Sequence, residues 1–165
     1  MNPEKFNKHS PGVTLEEDGR VAIHDPDETR FRYVLGKNIY HQGTHSLKLK
    51  LEMFTDNFCV FVGIGKGDVV QLQNDPYAGA YGWGLGLNGT EWKDGSYENK
   101  PELNGRVRQG ETVKLVLELD CDVPNLSLHL PNGQQLHIEI PESETSWKLH
   151  VNLFNENAKI RLVNE

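Results

Sequence analysis

Leu126 to Ile140 reads LSLHLPNGQQLHIEI, two runs of alternating apolar and polar residues on either side of Pro131-Asn132-Gly133. A period of two is the mark of a strand with one covered face, and turn formers between two such runs predict a β-hairpin. Its register is decidable, because a slip of one residue would turn the apolar set to the wrong face. A two-residue Asn132-Gly133 turn would set Leu128 against His137 and mix the faces. A three-residue loop pairs Leu126 with Ile138 and Leu128 with Leu136, and places Ser127 opposite His137 on the solvated face. That loop also gives Pro131 the φ it prefers at the start of a type I turn, and Gly133 the left-handed position that closes a G1 bulge.

The same alternation runs outward along the chain. Leu47, Leu49, Leu51 and Met53 share one face of a predicted strand, with Lys48, Lys50 and Glu52 on the other. Val113, Leu115, Leu117 and Leu119 repeat the pattern. The run Phe58 to Gly65 is apolar on both sides, which predicts a central strand covered on both faces. Shorter strands are expected at 13–15, 20–24, 81–87, 148–153 and 159–163. In AYGWGLGLNGTEWKDG (80–95), Tyr81, Trp83, Leu85 and Leu87 share an inward face. Gly82, Gly84 and Gly86 face the other way, leaving room for another backbone or side chain, a partner's included, to come close. No window longer than about eight residues keeps a helical period of 3.6. About ten strands with little or no helix predict an all-β fold, a two-sheet antiparallel β-sandwich. Residues 1–12 read as an N-terminal arm and 13–165 as the sandwich domain.

At 165 residues the chain can bury roughly 70% of its unfolded surface around one core. Lys and Arg number 17 against 24 Asp and Glu, a net charge of −7, so the cationic footprint of a nucleic-acid binder is missing. There is no run of about 18 apolar residues and no apolar leader. Cys59 and Cys121 read as reduced thiols. A soluble cytoplasmic monomer is expected, with no membrane or nucleic-acid partner and no cofactor or metal.

The order of the segments resembles the SPRY domain family, the B30.2-like fold related to concanavalin-like jelly rolls. GKNIYHQGTHSLKLKL (36–51) is similar to its glycine-then-histidine lead into a strand, with Leu47 where an aromatic is usual. FVGIG (61–65) resembles its V-G-[VI] strand, and YGWGLGLNGTEWKDG (81–95) its aromatic-glycine segment. GETVKLVLELDCDVPNLSLHLPNGQQL (110–136) is similar to its G-[DE]-x-V strand, Leu-Asp turn and Asn-Gly hairpin, and SWKLHVNLFNENAKIRLV (146–163) to its last strand pair. The loop after Asp122 is shorter than in the family, and no Tyr-Pro precedes the Val151 strand. The resemblance implies a non-catalytic module that binds a protein or peptide ligand on a surface of variable loops, in many family members for substrate recognition by ubiquitin ligases.

Candidate partner-binding residues follow. Alternation in LHVNLF places Phe154 with His150 and Asn152, outside the core, and the resemblance places Phe154 and Asn155 at the family's binding surface. Tyr77, after Pro76, reads as an exposed ring on a stiffened loop. The resemblance adds Gln73 and Asn74 from that loop, and Asp25, Asp27 and Arg30 from the loop after His24.

Two other functions have residues to offer. A galectin-like lectin would use His150, Asn152 and Trp83 to hold sugar. A glycanase would need Glu118, Asp120 and Asp122 on one strand face, but Asp-Cys-Asp-Val-Pro-Asn reads as a strand entering a turn.

Overall fold

The computed structural model describes residues 2–54, 59–143 and 146–163. Fourteen strands are found among them: β1 (Phe6–His9), β2 (Val13–Glu16), β3 (Val21–His24), β4 (Arg32–Gly36), β5 (Thr44–Met53), β6 (Cys59–Gly65), β7 (Ala80–Gly86), β8 (Thr90–Lys93), β9 (Ser96–Asn99), β10 (Thr112–Glu118), β11 (Asn125–His129), β12 (Gln135–Glu139), β13 (Lys148–Leu153) and β14 (Lys159–Val163). One short helix, α1 (Val69–Asn74), and a single 3-10 turn complete the elements. The strands form two seven-stranded antiparallel sheets, a front sheet ordered β1-β4-β13-β6-β7-β8-β9 and a back sheet ordered β12-β11-β10-β5-β14-β3-β2. The all-β sandwich expected from the alternation is the fold observed.

The inward faces meet in one core. From the front sheet come Val60, Val62, Ile64, Trp83, Leu85, Leu149 and Val151, and from the back sheet Leu49, Leu51, Val113, Leu115, Leu126 and Leu128. Two residues read as inward-facing lie outside this core. Met53 is 42% exposed at the end of β5, where the pairing with β14 shifts register, and Leu87 is 57% exposed past the end of β7. Phe58 lies outside the described residues.

The hairpin that opened the sequence reading takes the expected register: Leu126 pairs with Ile138, Ser127 with His137 and Leu128 with Leu136. The Gly133 amide donates to the Leu130 carbonyl at 3.0 Å, and Gly133 has φ +90°. Ser127 is nonetheless buried, with Oγ 2.6 Å from His137 Nδ1, because the imidazole lies over it. A Cβ on Gly133 would meet nothing within 4 Å, so Gly133→Ala isolates the backbone cost. A loss of about 1 kcal/mol is expected, measurable by urea denaturation as a lower midpoint with an unchanged slope.

The segment before residue 13 is not an arm. β1 pairs with β4 and Phe6 is buried. The Glu4 carboxylate accepts hydrogen bonds from the Tyr40 hydroxyl at 2.5 Å and from the Asn38 amide at 3.0 Å. In FNKH only Phe6 is apolar, so one long-range anchor and a buried carboxylate, rather than a pattern, hold this strand.

Candidate functional site

Alternation gives the front sheet a second, outward face carrying Tyr33 and Leu35 on β4, His150 and Asn152 on β13, Phe61 on β6 and Trp92 on β8. This face is not open to solvent. Residues 66–79, which leave β6, fold back over it. Asp68 caps α1 by accepting from the Gln71 amide at 2.9 Å, while the Gln71 side chain accepts from the Asp68 amide at 3.2 Å. That reciprocal cap starts a helix so short that its stability must come from packing. Leu72 supplies it against Tyr33 and Leu35. Tyr77 follows and stacks on Trp92, with centroids 3.6 Å apart and planes 8° from parallel. The Asn152 amide donates to the Pro76 carbonyl at 2.9 Å.

Three expectations change as a result. Tyr77, read as an exposed ring, is 6% exposed, and burial holds its hydroxyl well above the ordinary titration range. His150 and Asn152, read as solvated companions of Phe154, are both at 0%, since the returning segment covers them. The glycine stripe opposite the Trp83 face takes the chain's own rings: a Cβ on Gly63 or Gly82 would meet the Phe61 ring at 2.9 or 3.0 Å. The residues that a lectin would need are therefore inaccessible, for Trp83 is also fully buried, its indole donating to Glu91 at 3.2 Å. β10 ends at Glu118, leaving Asp120 and Asp122 exposed in the turn beyond it rather than on one strand face. The Cys59 thiol is pushed up by burial, opposite to the shift a nucleophilic thiol requires.

One accessible part of this face lies where β4 begins and β13 ends. The Arg30 amide donates to the Phe154 carbonyl at 2.9 Å, and Thr29 Oγ1 donates to Glu156, so the 25–31 loop and the 154–158 turn are joined. Buried His24 holds the first loop from inside, its ring nitrogens 2.8 Å from the Asp25 carbonyl and 2.6 Å from the Arg30 carbonyl. Asp25 Oδ1 accepts from the Asp27 amide at 2.7 Å. Asn155 Oδ1 accepts from the Cys59 amide at 3.1 Å, which fixes the turn to β6. Phe154 is half-buried, its ring 4.4 Å from that of Phe31.

From this pair a row of rings crosses the face: Phe31 to Tyr77 at 5.2 Å, Tyr77 to Trp92, and Trp92 to Tyr97 at 4.8 Å, with Tyr97 61% exposed. Phe154, Asn155, Arg30 and Tyr77 are thus brought together. Gln73 and Asn74 lie exposed at the end of α1, just before Tyr77, and Asp27 is exposed at the tip of its loop. Sequence reasoning missed Phe31, Trp92 and Tyr97 as members of this surface. The signals were Phe31, Tyr33 and Leu35 at alternate positions, and Asp94-Gly95 as a two-residue hairpin turn bringing Tyr97 opposite Trp92.

No family model and no curated protein matches the chain in sequence. Solved structures match it in shape. The SPRY domain of human HERC1 superposes with a TM-score of 0.73 at 14% identity, covering 96% of this chain and 97% of that one. The PSpry domain of TRIM65 gives 0.70 at 14% identity, covering 99% and 93%. The chain has the fold of SPRY domains.

Proposed function

We propose that this chain is a non-catalytic protein-interaction module that holds a peptide or loop of a partner on the surface formed by residues 25–31 and 154–158. The observation that carries this reading is the Phe31–Phe154 pair: two half-buried rings at a junction of two loops. Rings held in place by packing offer large contact area at little entropic cost. Phe154 is the anchor. Arg30, Asp25 and Asp27 set polar specificity, and Gln73 and Asn74 extend the contact along the row. Tyr77 and Asn155 act by position, the first as a roof for Phe61 and the second as a tie to β6. The setting we place it in is the cytoplasm, as a monomer selecting substrates for a ubiquitin ligase, the role that the likeness to SPRY domains implies.

Phe154→Ala tests the reading. Of the peptides selected on the wild-type chain from a random-peptide display library, a class is expected to bind the variant about 30-fold or more weakly. The melting temperature should fall by only about 3 to 5 °C, because the ring is half-buried. Undiminished binding of every selected peptide by Phe154→Ala would refute the assignment.

A further inference from the structure

A second cleft lies at the opposite end of the same face, where β13 begins and β6 ends, and it encloses about 260 Å³. That is below the range of pockets for drug-sized ligands, and suits one or two side chains. Strand register explains its lining. Lys8 on β1 pairs with Leu35 on β4, so the two share the outward face. Lys148 pairs with Gly65, and both border the cleft, the space a Gly65 Cβ would take being filled by the buried His150 ring, with Nδ1 at 2.7 Å. Val69, in the first turn of α1, and half-exposed Ile39 complete an apolar floor.

The rim is cationic. Lys8, Lys66 and Lys148 surround the cleft, against Asp68 as its one acid, and the Asp68 carboxylate is engaged in capping α1. Lys66 lies 3.5 Å from Asp94. Among the described residues no carboxylate lies within ion-pair distance of Lys8 or Lys148. On a chain of net charge −7, Lys8 and Lys148 beside an apolar floor make this cleft locally cationic. Their mutual repulsion and the wetted floor are both relieved by a ligand that brings an apolar group flanked by negative charge. A bare phosphate would satisfy the lysines and leave the floor wet, so the floor favours peptide.

We propose that this cleft binds an acidic peptide segment, seating one apolar side chain on Leu35 and Val69 with flanking carboxylates held by Lys8 and Lys148. The site is independent of the loop surface around Phe154.

The experiment pans a random-peptide display library on the full chain and measures the selected peptides against wild-type, Lys8→Glu/Lys148→Glu and Phe154→Ala proteins. The expected result is a class of peptides with an apolar residue between Asp or Glu residues. These should bind wild-type and Phe154→Ala alike, bind the double variant about tenfold or more weakly, and weaken as salt is raised. Lys8 is exposed and Lys148 half-buried, so the double variant should melt within about 4 °C of wild-type. Absence of an acidic class, or its full retention by the double variant, overturns the proposal. So does loss of that class with Phe154→Ala alone, or displacement by inorganic phosphate of every acidic peptide selected.

Discussion

Gly63→Ala is expected to lower the melting temperature by roughly 6 to 12 °C, a loss of about 3 kcal/mol. Gly63 lies in the extended backbone of β6, so alanine meets no conformational barrier, and its smaller unfolded-state entropy would by itself stabilise by up to about 1 kcal/mol. Crowding decides the sign. A Cβ at this position would lie 2.1 Å from the Tyr81 carbonyl oxygen and 2.8 Å from the Gly82 Cα. Both are backbone atoms of the neighbouring strand β7, which cannot rotate away as a side chain does. Relief requires parting β6 from β7 at the middle of the front sheet, above Val62 and Trp83. Gly105→Ala is the control: there a Cβ meets nothing within 4 Å at φ +63°, and the cost should stay near 1 kcal/mol. Thermal unfolding of both variants measures the difference, and equal small shifts would show that the β6–β7 contact relaxes freely.

Stability is also expected to fall by about 3 kcal/mol between pH 6.5 and pH 4 through His150 alone. The ring is fully buried, and burial pushes its pKa from the ordinary 6.5 down to about 4, against the raising influence of Asn152. Between those values the unfolded chain takes up a proton at His150 that the folded chain does not. The contribution is therefore complete above pH 6.5 and is lost as pH falls toward 4. Nε2 lies 3.0 Å from Asn152 Oδ1, while Nδ1 has no partner among the described residues, so no acceptor is at hand for a second proton. Glu17 and Glu52, whose pKa values are held down by Arg161, lose their stabilisation only below their ordinary 4.5, a window that meets that of His150 only at its acid end. Urea denaturation across this range should show His150→Gln with a flatter dependence on pH than wild-type. Parallel curves would mean that His150 is protonated in the folded chain. Because His150 and Asn152 lie under the segment that carries Tyr77, protonation at low pH would act first on that roof and on the ring row it completes.

Parts of the functional face were legible and passed over. Asp68 followed by Gln71 is a capping box, and it starts α1 where a plain loop was expected. Asp94-Gly95, with φ of +51° and +81°, is the turn that brings β9 against β8 and Tyr97 against Trp92. Other parts carried no local sign. His150 and Asn152 are polar residues at alternate positions beside buried Val151, the pattern of a solvated face. Their burial depends on the carbonyl of Pro76, 76 residues away from Asn152. Phe31 and Phe154 likewise meet only because β4 and β13 are neighbours in the front sheet.

Local alternation of apolar and polar residues, read from the sequence by itself, determined the all-β class, the inward set that builds the core, and the register of the hairpin around Pro131 to Gly133. It could do so because strand geometry sends successive side chains to opposite sides whatever surrounds them. Only the tertiary structure decided what lies against each outward side: that residues 66–79 roof the front sheet, that Phe6 adds a strand at its edge, and that Lys8 and Lys148 flank one cleft. Period two says which side a residue takes and is silent on what covers that side, since the cover comes from segments distant in the chain and is selected by the packing of the whole.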